Sequence, residues 1–221
     1  VAEENIDEAV AFYILAIEAN PDNLDYKENF ILLAGKTIYE SYNEKAANAL
    51  VACLRTPDIE SVNAQILWLS LFETLPGIKK LYEVTPSAKG PVLSGAELKR
   101  GVDLSPLDTP LFIEGLKRIA VYHPMFELFL TRLRRHLLLD LGPEALSPLH
   151  LRLAAALGHY ALFTEFIFNQ ERDEELAAAA LTAYIGAGKP HDEAALCLYA
   201  CYHPLACLPD ASDIAVRMKS S

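Results

Sequence analysis

Along most of the chain apolar residues recur at spacings of three and four, and sustained period-two alternation is absent. That periodicity predicts helices at residues 4–19, 23–41, 44–55, 59–74, 108–121, 125–139, 148–169, 172–186, 192–202 and 211–218. Proline and glycine mark the breaks between them. Asp108-Thr109-Pro110 and Ser147-Pro148 each set a capping side chain ahead of a proline that suits the first helical turn. His123-Pro124 separates two helices, and the segment from Gly186 to Pro190 ends another. Tyr122-His123-Pro124 recurs as Tyr202-His203-Pro204, and helix ending followed by a proline start accounts for both copies. The predicted fold is all-α.

One interval departs from the helical pattern. Residues 84–107 are rich in proline, glycine and serine around one short helix predicted at 95–100. Connections in compact domains usually run about 4–6 residues, so this one reads as a boundary. The expected organisation is a helical array over 1–83, a connection over 84–107 and a C-terminal helical bundle over 108–221.

The first helix carries a repeat signature. In NIDEAVAFYILAIEANPDN, Asn5 to Asn23, the slots Ala9, Tyr13, Ala16 and Pro21 follow the spacing of a tetratricopeptide second helix. In that unit of about 34 residues, small side chains let two helices approach closely. The array over 1–83 therefore resembles tetratricopeptide helix pairs, with the pattern decayed at Ala46, Ala47, Leu50 and Leu54. The first helix of its own repeat is absent ahead of it. We accordingly expect that Val1 lies inside a longer array, and that the uncovered face of the first helix can self-associate with another copy.

Four further stretches extend the resemblance: LVACLRTPDIE with Trp68 following, PMFELFLTRLRRHLLL, LAAALGHYALFTEFIFNQERDEE and ALCLYACYHPLACLPDA. In order and spacing they resemble bacterial proteins in which tetratricopeptide repeats and a helical region precede an S-adenosylmethionine-dependent methyltransferase domain. The third stretch has Thr164-Glu165-Phe166-Ile167-Phe168 where that family tends to show Asn-Glu-Tyr-Val-Phe. The resemblance implies a parent methyltransferase with S-adenosylmethionine as cofactor. These residues hold no glycine-rich strand–turn–helix that could bind it, so the chain itself is expected to be non-catalytic. Its expected role is to bind a protein or peptide, or to position a substrate for an attached catalytic domain. The alternatives are a helical region attached to a glycosyltransferase, and an enzyme or metal site within the C-terminal bundle.

Composition narrows the partners. The 221 residues are 52% hydrophobic and 22% charged, enough apolar material for a sizeable core. A net charge of −11 argues against nucleic acid, whose phosphates would repel it. No apolar run approaches the roughly 20 residues that span a bilayer, so no membrane partner is expected. Four cysteines, three of them in alanine-rich sequence near the C-terminus, do not resemble a secreted disulfide framework. A cytoplasmic setting is the expectation.

Few side chains invite chemistry. Cys197, Cys201, His203 and Cys207 offer three thiols and an imidazole to a zinc ion, but stand among Ala, Leu and Tyr, where cysteine serves as core filler. Thr131 to His136 is the most basic patch, with Arg132 and Arg135 on one helix face. Either could grip a carboxylate or phosphate of a partner, or pair with local acids. Glu165, flanked by Phe163, Phe166 and Phe168, is expected to be buried against an arginine of the 125–139 helix, Arg134 before Arg135. The other reading makes it a groove carboxylate that receives a cationic group. His159 is expected to pack within its helix.

Overall fold

The computed structural model describes residues 2–56, 62–82, 84–85, 92–93, 98, 102–121, 123–166, 168, 170–187, 192–208 and 211–212. The chain is all-α, apart from a two-residue antiparallel pairing of β1 (Val84–Thr85) with β2 (Val92–Leu93). It divides into two compact units. The first takes residues 1–83 and 106–121, the second 84–105 and 122–221. Among the described residues no helix is long and apolar enough to cross a membrane. The helices expected at 95–100 and 211–218 lie outside the described residues, apart from Leu98 and the first turn at 211–212.

In the first unit, α1 (Ala2–Ala19) buries Val10, Ile14 and Ile17 and leaves Phe12 and Leu15 on its outer side. The repeat-signature residues Ala9, Tyr13 and Ala16 are half-buried, with the Tyr13 ring 6.4 Å from that of Tyr26. Asn23 caps α2 (Leu24–Ala34) by accepting a hydrogen bond from the Tyr26 amide at 3.1 Å. The sequence predicted this helix through 41, yet it stops before Gly35. Turn bonds from Lys36 to Leu33 and from Thr37 to Ala34 replace the helical ladder ahead of Thr37-Ile38. Asn43 caps α3 (Glu44–Leu54), which buries Ala46, Ala47, Ala49, Leu50, Val51, Cys53 and Leu54.

The core of this unit forms around Trp68 of α4 (Val62–Glu73). Its ring stacks on Phe72 at 5.3 Å, and Phe72 stacks on Phe112 at 5.5 Å and meets Tyr82 of α5 (Lys79–Tyr82) edge-on at 5.2 Å. The indole N–H donates to the Leu111 carbonyl at 2.7 Å, which ties down the first turn of α6 (Pro110–Arg118). One turn on, Gly115 lies flat against the indole, where any Cβ would overlap the ring. These contacts place α6 in the first unit, whereas the sequence assigned everything from 108 onward to the C-terminal bundle.

The second unit begins with the β1–β2 pairing and α7 (Pro124–Arg135), which widens into a π-helical segment over His136–Leu141. Gly142, at φ 68°, ends it by donating to the Leu137 carbonyl at 3.0 Å. Ser147 and His150 form a capping box that starts α8 (Pro148–Phe163). Glu171 and Glu174 form another at α9 (Arg172–Gly186), and Asp192 caps α10 (Glu193–Ala200).

The predicted helix 148–169 ends early, at Phe163. The Phe166 amide reaches back to the Ala161 carbonyl at 2.7 Å, and Glu165 and Phe166 adopt φ values of 55° and 58°. On a continued helix Phe166 and Phe168 would point about 200° apart.

Gly115→Ala should destabilise the protein by about 2 kcal/mol or more, because the methyl must displace a fully buried indole. Gly186→Ala, where an added Cβ meets nothing, should be neutral or slightly stabilising. Urea denaturation of both variants checks the pair, and equal midpoints would contradict the packing at Trp68.

Candidate functional site: an apolar groove beside a buried ion network

Both features lie in the second unit. The ion network centres on Glu174, whose side chain is 0% exposed in the first turn of α9. Its Oε2 accepts from Arg135 Nη1 at 2.9 Å and from the Glu171 amide at 3.0 Å, and its Oε1 accepts from the Tyr202 hydroxyl at 3.1 Å. Arg135 also forks onto Asp173, at 3.0 and 2.7 Å, and reaches Glu171 at 3.3 Å. That hydrogen bonding holds the guanidinium above its ordinary range and the Asp173 carboxyl below its own. Burial first, then the Glu174 carboxylate, pushes the Tyr202 phenol well up, so it stays a donor.

Glu165 is not the buried carboxylate. It is exposed, in the left-handed turn after α8, and makes no ion pair with Arg134 or Arg135. The expected pairing fails because the helix that would have carried Glu165 inward has already ended. Arg134, only 2% exposed, lies instead with its guanidinium 3.6 Å from the centre of the Phe168 ring. Its Nη2 donates to Thr131 Oγ1 at 3.2 Å, while Nε finds no acceptor among the described residues. Burial lowers its proton affinity, an effect opposed by Tyr202, Cys201, Glu174 and Glu127. Arg132 is half-buried on α7, and Arg135 is committed to its three acids, so the two do not form an open anion fork.

The cysteine–histidine group is dispersed by role. The Cys201 thiol is buried with the carbonyls of Ala154 and Cys197 at 3.2 and 3.3 Å as acceptors for its one proton, and burial pushes its pKa up to about 12. Cys207 is exposed, and the His203 ring lies 5.3 Å from that of Tyr199. Among the described residues no three His, Cys, Asp or Glu side chains are grouped to hold a metal ion.

Between α8 and α10 lies a cavity of about 480 Å³. One face of α8 contributes Ala155, Gly158, His159 and Leu162, and one face of α10 contributes Glu193, Leu196, Cys197 and Ala200. Phe166, His203, Pro204 and Leu205 close its ends. Gly158 sets the depth, since a Cβ there would stand 2.9 Å from the Ala200 Cβ. His159, expected inside its helix, is exposed at the rim. Glu174, the Tyr202 hydroxyl and the groove escaped the sequence reading. The only signal for Glu174 was the Glu171–Glu174 capping spacing, which speaks of a helix start and not of burial.

No known protein family matches the chain, nor does any curated protein or solved structure.

Glu174→Ala should cost on the order of 2 kcal/mol, because it leaves the buried Tyr202 hydroxyl without its acceptor and removes the buried one of Arg135's three acids. Glu174→Gln should cost less, and Glu165→Ala should leave the unfolding midpoint unchanged. A large loss from Glu165→Ala by chemical denaturation would contradict the assignment. The network also has a pH signature. Asp173 has a folded pKa below its ordinary 3.8, so its contribution is fully present above that value and is lost as pH falls through the folded value. The stability gap between wild type and Asp173→Asn should therefore be constant near neutrality and close below about pH 4. A gap that persists into strong acid would show that Asp173 acts without its charge.

Proposed function

We propose that the chain is a non-catalytic helical binding module that holds a segment of a protein partner in the groove between α8 and α10. The groove carries the reading. Its outer wall includes Leu162, 60% exposed, above a floor of Gly158 and Ala200. Apolar surface collected in a concavity marks an interaction site more often than chance exposure does.

The ionisable groups around it favour binding over chemistry. Burial, then Glu193, pushes the Cys197 thiol up to about 11, so it is protonated at neutral pH and a poor nucleophile. Arg135 and Glu174 satisfy one another and their neighbours. The four sequence stretches that resemble methyltransferase-associated helical regions support placing this module in a larger S-adenosylmethionine-dependent methyltransferase. There it would position a protein substrate or partner while the cofactor is held elsewhere.

The test uses a short uncharged amphipathic peptide of leucine and glutamine. Fluorescence anisotropy should show saturable binding, and hydrogen exchange should slow in α8 and α10. Leu162→Asn, which changes an exposed wall residue, should abolish the binding without unfolding the protein. Binding that survives this substitution, or protection that appears on other helices, would overturn the reading. Calorimetric titration with S-adenosylmethionine should give no saturable heat. A one-to-one isotherm of micromolar strength would make this chain a cofactor-binding one.

A further inference from the structure

We infer that the segment received by the α8–α10 groove is cationic as well as amphipathic: apolar side chains seated between the helices, flanked by lysine or arginine. The inference rests on the binding reading above and adds the chemistry of the occupant.

Size and openness favour a segment of a larger partner over a small molecule. A cavity of about 480 Å³ has room for several large apolar side chains. Small-molecule sites bury most of their ligand's surface, typically about 70–90%. This groove is open along one side, where Ala155, Leu162 and Ala206 are all exposed. The small floor at Gly158 and Ala200 leaves its depth to the incoming side chains.

Charge selects among such segments. Among the described residues the lining contains one carboxylate, Glu193, and no lysine or arginine. Glu165 is exposed, immediately before the lining residue Phe166. The remaining polar side chains of the lining are the imidazoles of His159 and His203 and the protonated thiol of Cys197. The whole chain carries −11. An acidic segment meets like charge at Glu193 and at Glu165, whereas a basic one meets opposite charge at both.

The backbone at the Glu165 end is strained in a way that serves this arrangement. Two consecutive non-glycine residues, Glu165 and Phe166, hold φ near +55° to +58°. Such strain persists where the surroundings over-determine it, and here it puts a ring in the groove wall beside an exposed carboxylate.

Three peptides of one amphipathic pattern, with leucine at the apolar positions and lysine, glutamine or glutamate at the polar ones, separate the contributions. At physiological salt the lysine form should bind about tenfold tighter than the glutamine form, with the glutamate form weakest. Glu165→Gln combined with Glu193→Gln should bring the lysine form down to the glutamine form's affinity. Glu18→Gln combined with Glu28→Gln removes the same charge from exposed positions of the first unit and should change nothing. If lysine and glutamine forms bind alike and both are lost in Leu162→Asn, the groove reading survives and the cationic inference is overturned. If the lysine form binds Leu162→Asn unchanged and weakens equally in both charge pairs, the attraction is diffuse. That outcome overturns the inference and the groove reading together.

Discussion

A carboxylate with no access to water organises the second unit. Glu174 can remain charged inside the protein only if its oxygens are occupied by donors, because removing an ion from water costs several kcal/mol. The donors come from three separate places: the end of α7 through Arg135, the segment after α10 through Tyr202, and the backbone that opens α9. The first two tie α7 and the segment after α10 to α9, and the third is the cap of α9 itself. If α7 or the segment after α10 shifted, the buried carboxylate would lose a donor or the Tyr202 hydroxyl its acceptor, so both are held against the start of α9.

The groove inherits its shape from that arrangement. Tyr202 is held by Glu174, and the residues that follow it, His203 to Leu205, form one end of the lining. The close approach of Gly158 and Ala200 sets the depth. At the other end the turn after α8 sends Phe166 into the groove and Phe168 back over Arg134, where it also meets Tyr202 edge-on at 6.2 Å. One strained turn therefore completes both the cover of a buried guanidinium and the wall of an apolar cavity.

The first unit rests on a different principle. Its key contact, Gly115 against Trp68, is steric, and the hydrogen bond from the indole to Leu111 sets the register of α6. Aromatic stacking of Trp68, Phe72 and Phe112 then fills the volume. With α6 drawn from beyond the proline- and glycine-rich interval, this unit is discontinuous in sequence, and the interval is a crossover between units as well as a boundary.

What the sequence determined by itself is what local forces decide. The all-α class, the caps at Thr109 and Ser147, and the extent of α9 follow from periodicity and from side chains that bond their own backbone within a few residues. The tertiary structure decided which carboxylate is buried, where α8 stops, which unit claims α6, and that α8 and α10 part to leave a groove. Glu165 and Glu174 both stand in helix-forming sequence near aromatic or alanine-rich neighbours, and local pattern cannot rank them. Their fates separate only when Arg135 and Tyr202, 39 and 28 residues from Glu174, converge on one of them. Burial is a property of which surfaces meet, and no helical period carries that information.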